Sequence, residues 1–187
     1  MRHRFIDLLE QSPVIPAVKA EAALPCALAC ESRVLFLLGG DLLTIRRWIS
    51  MVHEAGKVAV VHIDLVGGLA PKEVAVDWLQ QQGADGIIST RPHLIRRGRE
   101  LGMLTVLRVF AIDSKAVSNL GKETGMGMPD LIEVLPGTIY RVIARLSREL
   151  PVPLIAGGLL ADKADVTAAL SAGALCVSAS DPQLWDL

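Results

Sequence analysis

Eight short runs rich in Val, Ile and Leu recur along this chain, with helix-like segments between them, and that recurrence constrains the fold more than any other feature. The runs are Val14–Val18, Val34–Leu38, Val58–Ile63, Gly86–Ser89, Leu104–Val109, Leu131–Leu135, Pro153–Ala156 and Leu175–Ser178. Most are nearly continuous in apolar character, as strands of a parallel sheet covered on both faces are, whereas one-sided antiparallel strands alternate. The intervening segments carry helix punctuation. Gly39-Gly40-Asp41 precedes an apolar stripe of Leu42, Ile45, Trp48, Ile49 and Val52, which Gly56 ends. Pro71 sits where a first helical turn tolerates proline, ahead of Val74, Trp78 and Gln81, and Gly83 closes that segment. Ile139, Val142, Ile143, Leu146 and Leu150 form a stripe stopped by Pro151. Asp162 is placed to cap a helix carrying Val166, Ala169 and Leu170, with Gly173 closing it.

Alternating strands and helices at this spacing mean a parallel sheet with right-handed crossovers, either open or closed. Eight strands favour closure, so the expected fold is a compact (β/α)8 barrel of the TIM type, one domain over residues 1–187. The chain is shorter than the roughly 200–400 residues usual for such barrels. Little follows the eighth run except Trp185-Asp186-Leu187, so the last helix is expected to be vestigial. Arg4–Gln11 reads as an extra helix covering part of the barrel.

Composition removes several function classes. Apolar residues make up 51 % of the chain, enough for a sizeable core, and the net charge is −1. A dedicated duplex-binding domain carries a positive excess, so any nucleic-acid role rests on a local patch or on a surface assembled between subunits. A homodimer is one way to assemble such a surface. Cys26, Cys30 and Cys176 cannot all pair within the chain, no histidines follow at zinc-finger spacing, and buried reduced thiols are the expectation. The start is charged and no apolar run reaches the ~20 residues of a membrane span, so a cytoplasmic protein without membrane contact is expected. No cofactor and no metal are expected.

Alternate side chains of a strand share a face. If those faces point inward, Lys19, His62, Asp64, Arg108 and Glu133 meet at the upper end of the barrel, where the strands end. Core layers of such barrels are ordinarily Val, Ile and Leu, so polar groups there suggest a ligand site. The alternative is an ion-pair network that satisfies itself and closes the barrel top. The segment 154–159 places Gly157 and Gly158 after a strand, where backbone amides can approach a bound group; Ser178 and Ser180 follow the neighbouring strand. Loops after strands seven and eight are the frequent phosphate site of this fold. The competing reading of the glycines is a tight turn. Gly67-Gly68 shapes a loop over the ligand or simply turns the chain. Arg91, Arg96, Arg97 and Arg99 form either a solvated helix face or an RNA patch. His53 and His93 are expected at exposed positions, and Trp48 and Trp78 in the core.

These segments also resemble a known family. His62-Ile63-Asp64-Leu65, residues 85–90, residues 108–114 and residues 129–137, with Ile155-Ala156-Gly157-Gly158-Leu159, are similar to the glycerol-uptake operon antiterminators, in order from about Phe5 to Trp185. The resemblance implies a regulator rather than an enzyme. It implies binding of glycerol 3-phosphate and passage of transcription through a terminator in the leader mRNA of glycerol-utilisation genes. Carried over, Gly157, Gly158, Ser178 and Ser180 hold the phosphate, while Lys19, Asp64 and Glu133 surround the glycerol, with His62 and Arg108 beside them. Two positions depart from the family's pattern: Gly67 stands where an acidic residue is usual, and Arg91 where lysine is. The competing reading is a small phosphosugar enzyme (an isomerase, an aldolase or a metal-dependent phosphodiesterase) in which Lys19, His62, Asp64 and Glu133 supply acid–base groups. A third is a ligand-binding barrel that acts through a protein partner.

Overall fold

Each of the eight apolar runs becomes a strand. In the computed structural model, which describes residues 2–111, 113 and 128–187, they are β1 (Val14–Val18), β2 (Val34–Leu37), β3 (Val58–His62), β4 (Gly86–Ser89), β5 (Leu104–Phe110), β6 (Leu131–Leu135), β7 (Leu154–Gly157) and β8 (Cys176–Ala179). All neighbours pair in parallel and in sequence order, and β8 returns to β1 with Val14 opposite Val177, so the barrel is closed. Of the segments named above, Met1, Ile112 and Ser114 lie outside the described residues.

The helices are α1 (Arg2–Gln11), α2 (Leu24–Ala29), α3 (Ile45–Glu54), α4 (Glu73–Gln81), α5 (Pro92–Glu100), α6 (Tyr140–Glu149) and α7 (Lys163–Ser171). After the eighth strand comes a 3₁₀ turn, Pro182–Leu184. The Asp162 carboxylate accepts from the Asp165 amide at 2.9 Å and so caps α7, as its position predicts. The core divides into two shells. Ile15, Phe36, Val60, Val106 and Ile155 fill the inside of the barrel, and the alternate residues (Leu35, Leu37, Val61, Ile132, Ala156) pack outward against the helices. Helix α1 belongs to the inner shell. Phe5 and Leu9 are buried beneath Val34 and Leu104, so α1 plugs the lower end where the strands begin. Each such side chain contributes about 1.5–3 kcal/mol through burial.

Three expectations need correction. The buried face of α4 is Ala75, Val76 and Leu79; Trp78 is half-buried and Val74 is 69 % exposed. A helix against a barrel is oriented by its neighbours as well as by its most apolar residues. Cys26 is exposed, and only Cys30 and Cys176 are buried. Helix α2 has no counterpart among the expected segments.

Candidate functional site

Arg108 and Glu133 are register partners on β5 and β6, both facing inward at the upper end. The Arg108 Nε donates to Glu133 Oε2 at 2.6 Å, and Ser178 Oγ of β8 donates to Oε1 at 2.5 Å. Glu133 is fully buried, so its charge stands in this interior only because a guanidinium and a hydroxyl meet it. Between β6 and β8 lies β7, and the carboxylate crosses it at Gly157. A Cβ on Gly157 would stand 2.6 Å from Glu133 Oε1 and 2.7 Å from Ser178 Oγ. The first glycine of the pair is therefore required by the Glu133–Ser178 hydrogen bond. The second, Gly158, adopts φ +75° and accepts from the Gly137 amide at 2.9 Å, which ties the loop after β7 to the loop after β6.

Above this triad opens a cleft of about 280 Å³. Lys19, Arg108, Glu133, Gly158, Ser178 and Ser180 line it, so the barrel does gather most of the residues the sequence singled out. Lys19 and Ser180 are exposed at the mouth, and Lys19 has no ion pair among the described residues. The self-satisfied network is thus realised at the centre of the site and not at its rim. Two rim residues carry no sequence signal: Phe110, half exposed, and Leu159, exposed at φ +58°. An apolar residue reads as core until the strand ends are known.

His62 and Asp64 do not share a strand face, because β3 ends at His62 and Asp64 lies on a 3₁₀ turn, Ile63–Leu65. His62 is buried inside the barrel, and its pKa is lowered to about 4, first by burial and then by the Arg108 charge, with Asp64 acting in the opposite sense. Its Nδ1 has no hydrogen-bond partner among the described residues. Asp64 accepts from Ser89 Oγ at 3.0 Å, from the Thr90 amide at 2.8 Å and from Thr90 Oγ1 at 2.9 Å, with Arg91 Nε 3.6 Å away. Its oxygens organise the end of β4, and neither residue lines the cleft. The Gly67 loop is bound to the loop after β2 instead: Gly67 N donates to Gly40 O at 2.9 Å, and Leu42 N to Gly67 O at 3.1 Å.

Two of the three arginines of α5 are matched by carboxylates. Arg96 meets Glu73 at 3.2 Å and Glu100 at 4.0 Å, and Arg97 meets Asp77 at 2.5 Å and Glu100 at 3.0 Å. The Asp77 carboxyl is held below its ordinary value by the Arg97 hydrogen bond. Arg99 donates to the Met128 carbonyl. Helices α4 and α5 together make a charge-balanced face.

A family model described as glycerol-3-phosphate responsive antiterminator matches residues 14–185. The chain is 37 % identical to the protein YgcP of Escherichia coli (strain K12) over 98 % of its own length and 96 % of that protein's. Among solved structures, it is similar to the glycerol uptake operon antiterminator regulatory protein of Listeria monocytogenes, at a TM-score of 0.88 and 31 % identity, covering 92 % of this chain and 94 % of that one. A glycerol uptake operon antiterminator-related protein of Thermotoga maritima gives 0.84 and 31 %, covering 93 % and 98 %.

Proposed function

This chain belongs to the family of glycerol-3-phosphate responsive antiterminators, and from that premise we propose that it binds glycerol 3-phosphate in the upper cleft and relays occupancy to leader mRNA of glycerol-utilisation genes. The observation that carries the reading is the cleft itself, which sets a cation with no ion pair among the described residues, and a glycine-bearing loop, above a buried, hydrogen-bonded carboxylate. The phosphate lies at the mouth. Lys19 supplies charge, Ser180 a hydroxyl, and the loop at Gly158 backbone amides that no side chain blocks. The glycerol hydroxyls point inward. Glu133 has oxygen lone pairs beyond the two used by Arg108 and Ser178, whereas His62, whose Nδ1 is unused among the described residues, lies off the cleft lining. Ser178 and Gly157 act by holding Glu133 in place rather than by meeting the phosphate. Asp64 contributes by fixing the end of β4.

The same contacts favour a sensor over the acid–base alternative. A general base needs a carboxylate free to take a proton, whereas Glu133 is held by Arg108 and Ser178 and Asp64 by Ser89 and Thr90.

The test is thermal unfolding with and without millimolar glycerol 3-phosphate, with glycerol and inorganic phosphate as controls. At 100 times its Kd, a ligand of the folded state adds about 2.7 kcal/mol. For a domain of this size that raises the melting temperature by roughly 5–10 °C. The expected result is a rise specific to glycerol 3-phosphate and lost in Lys19→Met. No rise at all, or turnover of the compound, overturns the proposal.

A further inference from the structure

Helix α6 carries arginines of a different kind from those of α5. Arg141, Arg145 and Arg148 are all exposed, while Ile143 and Leu146 on the opposite face are buried in the core. Positions i, i+4 and i+7 lie on one side of a helix, so the three guanidinium groups form a single stripe about 10 Å long. One carboxylate of the helix answers them: Glu149 lies 3.9 Å from Arg145. The adjoining helix α7 adds no acid to the face. Its exposed residues are Lys163, Ala164, Thr167 and Ser171; Asp165 is taken up by the Tyr140 hydroxyl at 2.7 Å and the Ala161 amide, and Asp162 by the cap of α7.

Like charges at helical spacing oppose one another, and among the described residues only Arg145 of the three has a carboxylate beside it. The complement of the stripe is a row of anions. Helix α6 also begins where the cleft ends: β6 carries Glu133, and the loop after it donates from Gly137 N to Gly158 O beside the site. A ligand that moves the loops after β6 and β7 acts directly on the start of this helix.

We propose that the Arg141–Arg145–Arg148 stripe of α6 is the surface that meets RNA, by contact with its phosphates. This rests on the regulatory reading above. The experiment is fluorescence anisotropy of the full chain with a labelled transcript of the leader upstream of a glycerol-utilisation operon, in the presence of glycerol 3-phosphate and over a range of salt. The triple variant R141Q/R145Q/R148Q is expected to lose at least about tenfold in affinity and to flatten the slope of log K against log salt by about 2, as three lost phosphate contacts to a single strand require. It is expected to keep its thermal shift with glycerol 3-phosphate, which shows that it folds and that its cleft is intact. The α5 variant R96Q/R99Q, which also removes two cations, is expected to bind within twofold of the parent chain. RNA binding by the triple variant equal to that of the parent overturns the assignment of the surface alone, and so does an equal loss in the α5 variant. Absence of RNA binding by the parent chain, with the thermal shift present, overturns the RNA half of the regulatory reading and this inference with it.

Discussion

The two ends of the barrel handle polar groups in opposite ways. At the lower end, Lys57 is a buried cation with no ion pair among the described residues, and its Nζ donates to the carbonyls of Ala27, Cys30 and Ser32 around the end of α2. Asp85 takes the Ala59 amide at 2.8 Å and His53 at 2.9 Å, and Asp130 takes the Thr105 amide and hydroxyl at 3.0 and 2.9 Å. A crevice of about 320 Å³ lies there too, larger than the upper cleft, but its charged residues Lys57, Asp85 and Arg33 already have partners. At the upper end, Lys19 and His62 Nδ1 have none among the described residues. Unused hydrogen-bonding capacity, and not cavity size, distinguishes the end proposed to take a ligand from the lower end.

The strongest way to break that contrast is at Arg108. Arg108→Met leaves Glu133 buried without its cation, and a loss of about 3–5 kcal/mol is expected in denaturant unfolding. The double variant Arg108→Met/Glu133→Leu is expected to recover most of that stability while remaining blind to glycerol 3-phosphate. Recovery of the thermal shift along with the stability would place the ligand elsewhere. The lower end is expected to behave in the reverse manner. Lys57→Met removes the donor from three carbonyls and is expected to cost about 1–3 kcal/mol, with the ligand-induced shift unchanged. A shift that shrank in proportion would mean that the two ends are coupled.

Per pH unit, the smallest effect comes from His62. The folded pKa of His62, about 4, lies below its ordinary value of 6.5. As pH falls below 6.5 the unfolded chain takes up a proton that the folded one refuses, so stability declines. The slope from this group reaches at most about 1.4 kcal/mol per pH unit until the folded state also protonates near pH 4. Above pH 6.5 the group has no effect. His62→Gln is expected to flatten this part of the stability–pH curve and no other. An unchanged slope would show that His62 is already solvated or protonated in the folded protein.

The strands and most helices were legible because their signals are local. Continuous apolar runs need no knowledge of neighbours, nor do glycine stops or the Asp162 cap. The inward face of Arg108 and Glu133 was equally readable, since alternation along a strand is a property of the backbone. Gly157 was recognised as important, but one reason for it was not legible, because that need arises only when β6 and β8 stand on either side of β7 and a carboxylate passes between them. Asp64 left the expected face because β3 gives way to a 3₁₀ turn one residue earlier than alternation assumed. The arginines of α5 could be read as a solvated face or as a patch, and the partners of Arg96 and Arg97 came into view only when α4 supplied Glu73 and Asp77, about 20 positions earlier in the chain. What the sequence determined by itself was the repeating unit and the residues that it carries, since both depend on backbone periods of a few residues. Closure of the barrel decided which of those residues are satisfied and which remain open, because hydrogen bonds and ion pairs depend on groups brought together from distant parts of the chain.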